Sequence, residues 1–166
     1  MNLAEIFSAE LVHESQLTAK ILALVPEASM DWQPHEKSMK LGALAAHVAE
    51  IFSWTVYTVL HDELDFAKLN YTPYVAKNGE DLVMYLKKNT VEALAAMQQA
   101  SNESLKQPWR MRNGETIYFE MPRAQVMRGM VLNHIIHHRA QLGVYLRLLN
   151  IALPNIYGPT ADSPTM

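Results

Sequence analysis

Seven histidines stand in a chain of 166 residues that contains no cysteine. Any metal or acid–base chemistry must therefore be built from imidazole, carboxylate and hydroxyl groups, and thiolate catalysis, disulfides, zinc fingers and iron–sulfur clusters are excluded. His134 and His138 are four residues apart. On a helix that spacing puts the two rings on adjacent turns with Cβ atoms about 6 Å apart, so both reach one cation. At 100° per residue, Val131, His134, His138, Leu142, Tyr145 and Leu149 fall within about 40° of a common direction. The same construction aligns His47 with Ala43, Leu44, Ile51, Trp54 and Thr58 on an earlier helix. Three imidazoles from two core-facing stripes would make an open site, with water completing the shell of a divalent ion. Imidazole suits zinc, nickel, iron or copper, so spacing does not choose the metal.

A structural reading stands beside the chemical one. A core-facing histidine is commonly a hydrogen-bonded packing residue, and i, i+4 pairs also arise by chance. Burying several imidazoles without partners costs about 1–3 kcal/mol for each unsatisfied group, a cost that a shared metal removes. Spacing alone does not separate the two. His137 lies about 100° round the wheel from His138, at the flank of the stripe. His13, His35 and His61 read as surface or interhelix residues, with His13 and His61 as reserve ligands. Glu50 lies about 60° from His47 and could orient a ligand or accept a proton, although a solvated flank is its ordinary place. Arg139 and Arg147 are expected in surface ion pairs. Trp32, Trp109 and an Asn113-Gly114 ribbon either border a pocket or pack, and Trp54, Tyr57 and Tyr145 read as core filler. No Gly-rich phosphate loop, Gly-x-Ser-x-Gly elbow or calcium loop is present, and the Glu-x-x-His pairs of di-iron bundles are missing around His134 and His138.

Four segments with helical period must position these residues. The first runs from Leu3 to about Val25 and stops at Pro26. The second opens with Ser38 as N-cap and reaches about His61. Between them, Met30 to His35 reads as an extended crossing segment, because Pro34 pushes Gln33 out of the α region. The third starts near Asn78-Gly79-Glu80-Asp81, whose acids suit a helix N-terminus, and continues to about Ser101. The fourth opens at Pro122 and runs to about Asn150. Asn113-Gly114, flanked by strand-like residues, predicts a short β-hairpin between helices three and four. The expected fold is an all-α antiparallel four-helix bundle with that hairpin, forming one domain over 1–166.

Lys plus Arg total 14 and Asp plus Glu total 17, for a net charge of -3. Neither sign forms a run, so affinity for nucleic acid is not expected. The N-terminus lacks the basic and apolar regions of a secretory signal, and the longest apolar stretches fall short of the roughly 20 residues of a bilayer span. A cytoplasmic protein without a membrane partner is the expectation.

The arrangement resembles the DinB/YfiT-like family of metal-dependent proteins. The carrying segments are Trp32-Gln33-Pro34-His35-Glu36-Lys37-Ser38-Met39, then Leu41 to Val48 containing His47, and Asn133-His134-Ile135-Ile136-His137-His138-Arg139-Ala140-Gln141-Leu142. Tyr145-Leu146-Arg147, Pro154 and Tyr157-Gly158-Pro159-Thr160-Ala161-Asp162 are similar to the family's ending. Ala140 stands where members often carry glycine, a change of one methyl on a helix flank. The resemblance implies one divalent metal held by His47, His134 and His138, with zinc or nickel foremost and iron or manganese next. It also implies a small-molecule substrate, used with a low-molecular-weight thiol in the S-transferase relatives, and a homodimer. A metal-dependent hydrolase is the neighbouring enzymatic reading. The alternatives are a non-catalytic metal-binding protein and a helical interaction module whose histidines form only a polar network.

Overall fold

The computed structural model describes residues 2–165. Helix α1 (Leu3–Leu22) is capped by Asn2, whose side chain accepts a hydrogen bond from the Ala4 amide at 3.0 Å. It buries Phe7, Leu11, Ile21 and Leu22 at helical spacing. The helix ends three residues before Val25, and after Pro26 the chain makes a single 3-10 turn at Glu27–Ser29.

The crossing segment then lies on the start of α2 (Leu41–Glu50). The Leu41 amide donates to the Trp32 carbonyl at 2.8 Å and the Gly42 amide to the Met30 carbonyl at 2.9 Å. These carbonyls satisfy amides that an N-cap side chain would otherwise serve. That is why Ser38 is not the cap: Lys40 holds the position and makes no side-chain bond there. The second predicted helix is also broken, by a 3-10 turn at Ile51–Ser53 before α3 (Trp54–Leu60).

The chain next forms strand β1 (Glu63–Asp65). A loop leads to α4 (Gly79–Met97), where the Asn78 side chain accepts from the Asp81 amide at 2.9 Å. Short helix α5 (Asn102–Lys106) carries a reciprocal Ser101/Ser104 capping box. Strands β2 (Pro108–Asn113) and β3 (Thr116–Pro122) form the predicted hairpin. Asn113 pairs with Thr116 across the two-residue loop, and Gly114 sits at its first central position with φ +58°. Glycine at that place is the requirement of a type II′ turn, whose twist matches the strands.

After the hairpin come α6 (Arg123–Val126), a π-helical turn at Met127–Leu132, and α7 (Asn133–Leu148). The fourth predicted helix is thus three pieces.

The expected all-α antiparallel four-helix bundle is therefore incorrect. The protein combines helices with a three-stranded mixed sheet in the order β1-β2-β3, in which β1 runs parallel to β2. A three-residue strand is too short to show alternation in the sequence, and its partner is distant: Leu64 pairs with Met111. Helix α4 packs on α1, α2 and α3, while α7 packs on α1 and α2. The main core includes Leu11, Leu22, Leu44, Phe52, Leu82, Met127, Leu132, Ile135 and Leu142. A second cluster of Leu64, Trp109, Met111 and Val126 lies under the sheet. Trp109 is therefore a packing residue, and its indole N–H donates to the Tyr57 carbonyl at 3.1 Å.

The run Leu41–Leu60, with mean hydropathy 1.3, is long and apolar enough to cross a membrane by length and composition, which the sequence stretches did not suggest. Half of it is buried inside the fold. It is also interrupted by the 3-10 turn and carries His47 and Glu50, as suits a core helix.

Candidate metal centre

Helices α2 and α7 are the elements that bring the histidines together. One ring nitrogen from each of His47, His134 and His138 lies within 4.8 Å of the others. His47 Nε2 and His134 Nε2 are 3.4 Å apart. The ring centroids of His47 are 5.1 Å from those of His134 and 4.9 Å from those of His138.

The other ring nitrogens face oxygen. His134 Nδ1 lies 3.3 Å from the Met130 carbonyl, and His138 Nδ1 lies 2.7 Å from Gln141 Oε1. These contacts favour the tautomer with the proton on Nδ1 and the Nε2 lone pair directed inward, the usual way a protein orients imidazole ligands. His47 Nδ1 lies 3.6 Å from Glu50 Oε2.

All three rings are half-buried rather than fully enclosed. On α7 the buried stripe is Ile135, Arg139, Leu142 and Leu146, with His134 and His138 on its flank, roughly 90° from its centre. The π turn at Met127–Leu132 interrupts the regular phase that the helical wheel assumes across Val131 and His134. Burial, reinforced by the neighbouring His138 and His47, pushes the His134 pKa down to about 4. Burial also lowers that of His138, against the opposing hydrogen bond that its ring donates to Gln141. Both imidazoles are therefore neutral at pH 7, the form that ligates a metal.

Two cavities adjoin the cluster through His47. One, of about 550 Å³, is lined by Met30, Met39, Ala43, Ala46, His47, Glu50, Tyr71 and Tyr74 among others. The second, of about 630 Å³, includes His47, Glu50, Trp54, Tyr57, His61, Tyr71, Tyr85 and Asn89. His47, Glu50 and Tyr71 belong to both walls. The Tyr71 hydroxyl donates to Glu50 Oε2 at 2.8 Å. Burial and this carboxylate together push the Tyr71 pKa up to about 12.

The remaining candidates take other places. His13, His35 and His61 are exposed and outside the cluster, although His61 borders the second cavity and lies 5.7 Å from the Tyr57 ring. His137 is exposed, its ring 4.8 Å from that of His138. Trp32 packs edge-on against Tyr145 at 5.7 Å and lines neither cavity. Trp54 is more than core filler: its ring lies 5.1 Å from that of His134 and 5.9 Å from that of His47, forming an aromatic side of the centre. Arg147 forms the expected surface ion pair, with Asp162.

Arg139 corrects the sequence reading. It is 3% exposed and pairs with Glu14 at 2.7 Å, while also donating to Thr18 Oγ1 and the Tyr157 hydroxyl. The legible signal was on α1, where the charged Glu14 occupies the apolar stripe between Leu11 and Leu17 and so requires a buried partner. Gln141 was legible too, three residues after His138. Tyr71 arrives from a loop and carried no periodic signal.

A family model described as the DinB family matches residues 2–165. Among solved structures, a DinB-like protein from Bacillus subtilis superposes with a TM-score of 0.69 at 17% identity, covering 96% of this chain and 99% of that one. A DinB-like protein from Bacillus cereus gives 0.67 at 19% identity over 92% and 97% of the two chains. A structure titled as a member of the DinB family from Exiguobacterium sibiricum gives 0.68 at 16% identity over 93% and 97%. At these identities the likeness is one of fold. No match is found among curated proteins.

Proposed function

The chain belongs to the DinB family, and on that premise we propose that it is a metal-dependent enzyme acting on a small molecule, with His47, His134 and His138 as ligands of one divalent cation. The observation that carries the reading is the composition of the cluster. Among the described residues, it contains three imidazoles and no fourth His, Cys, Asp or Glu. Three protein ligands with a position left over is the pattern of catalytic rather than structural sites. The donor set suits zinc or nickel before harder ions, with iron or manganese as further candidates. The two reserve ligands, His13 and His61, are exposed elsewhere and do not close the shell.

Bound there, a divalent ion lowers the pKa of a coordinated water or thiol and supplies a nucleophile near neutral pH. The chain's own contribution is orientation and shape. Met130 and Gln141 hold two imidazoles in the ligating tautomer, and Trp54 shields one side. The two cavities give a substrate room beside His47. A thiol-dependent S-transferase is the reading we favour, with a metal-dependent hydrolase beside it. Because the chain has no cysteine, the sulfur of the first reaction comes from a low-molecular-weight thiol in solution. We take the protein to be cytoplasmic and a homodimer.

Elemental analysis of untagged, dialysed protein tests the metal reading. One equivalent per chain in the parent, lost in His138→Ala, is expected; equal contents in both would remove the site. For catalysis, low-molecular-weight thiols are screened against electrophiles, and esters or amides against water. Turnover that survives in a demetallated but folded sample would overturn the enzymatic reading.

A further inference from the structure

Of the three imidazoles, two have their outer nitrogen served by a neutral oxygen, from the Met130 carbonyl and the Gln141 side chain. His47 differs. Its Nδ1 lies 3.6 Å from a carboxylate oxygen, Oε2 of Glu50, one helical turn on. This carboxylate is largely withdrawn from water, with 14% of its side chain exposed. It is also held from the far side: the Tyr71 hydroxyl donates to the same Oε2 that faces His47. Tyr71 comes from the loop after β1, so an element outside the α2–α7 pair fixes the position of the carboxylate. Glu50 is not part of the group of mutually close ligand atoms, so it stands outside the cluster rather than within it.

We propose that Glu50 is the positioning residue of the centre, orienting His47 through Nδ1 and raising its basicity as a ligand, and that Tyr71 holds Glu50 in place for that task. The inference rests on the metal reading above. An anionic acceptor on the outer nitrogen strengthens an imidazole ligand more than a neutral one does, and losing such a partner costs about 10- to 100-fold in metal affinity. Tyr71 acts one step further out, and its loss leaves the carboxylate in place but unanchored, so its effect is the smaller.

Metal affinity tests this without reference to turnover. Zinc is titrated into chelator-stripped protein in competition with a chromophoric chelator, for the parent, Glu50→Gln, Glu50→Asp, Tyr71→Phe and His47→Ala. Thermal melting of each metal-free form separates folding from binding. Glu50→Gln is expected to weaken zinc by about 10- to 100-fold at an unchanged melting temperature. Glu50→Asp should recover part of the loss, and Tyr71→Phe should weaken zinc less than Glu50→Gln. The visible spectrum of the cobalt form should shift in Glu50→Gln, because the field of His47 changes. Zinc affinity equal to the parent's in Glu50→Gln, with His47→Ala impaired, would overturn this inference and leave the metal reading standing. If Glu50→Gln does not fold, unchanged affinity in Tyr71→Phe would overturn the role given to the pair. Equal binding by the parent and His47→Ala would overturn the metal reading itself.

Discussion

His134 couples the site to pH. Its pKa in the folded protein is about 4 against an ordinary value of 6.5, with burial as the leading cause. Between those values the unfolded chain binds the proton that the folded chain refuses, so the stability of the metal-free protein falls as pH falls below 6.5 and levels off near 4. Urea midpoints of chelator-stripped protein at pH 7, 6 and 5 should decline, and His134→Gln should flatten the decline. An identical slope in the variant would contradict the assignment. Arg139 makes a second prediction at this scale. Its pair with Glu14 is almost wholly buried, so Arg139→Met strands a carboxylate in the core and should cost about 3–5 kcal/mol. Adding Glu14→Gln should return part of that loss, which a double-mutant cycle in urea would read.

Between elements, the α1–α4 contact has little room to move. A Cβ built on Gly79 would lie 2.7 Å from the Leu22 carbonyl oxygen and 2.9 Å from that of Ala23. Backbone cannot rotate away as a side chain can, so Gly79→Ala must part the two helix ends. A loss of about 1–3 kcal/mol is expected, in the range of other overpacked contacts. Thermal melting checks it, and a neutral result would mean that α4 is free to shift. Neither consequence could be read from the helical pattern, in which Gly79 marks only a helix start. The hairpin was legible because Asn113-Gly114 is a local turn signal. Strand β1 was not, since its pairing with Arg110, Met111 and Arg112 is a long-range event.

Across the whole molecule, the histidine cluster bridges α2 and α7, with His47 and His134 lying 87 positions apart in the chain. A ligand that binds only the folded form stabilises it by mass action, by about 2.7 kcal/mol at a hundred times its Kd. Zinc at that excess should raise the melting temperature of the parent and leave His47→Ala and His138→Ala unmoved. The same rise in those variants would place zinc elsewhere. The C-terminal segment is tied to the helices, because Tyr157 donates to Glu14 at 2.7 Å and Asp162 pairs with Arg147.

His134 and His138 share a helix face by spacing, and His47 was selected with them on an earlier helix, so the three candidate ligands were readable before any fold was known. So were the hairpin turn and the start of a helix near Asn78. Each depends on residues within a few positions of one another, where covalent geometry dictates the outcome. What waited for tertiary structure is everything set by distant partners: the parallel strand β1, the burial of Arg139 against Glu14, and the closure of Tyr71 onto Glu50. The depth of the histidines belongs there too, because α7 buries the stripe of Ile135, Arg139, Leu142 and Leu146 and leaves His134 and His138 on its flank, and a helical wheel does not say which face packing will cover. Local spacing determines which side chains point the same way; only packing decides what they meet there.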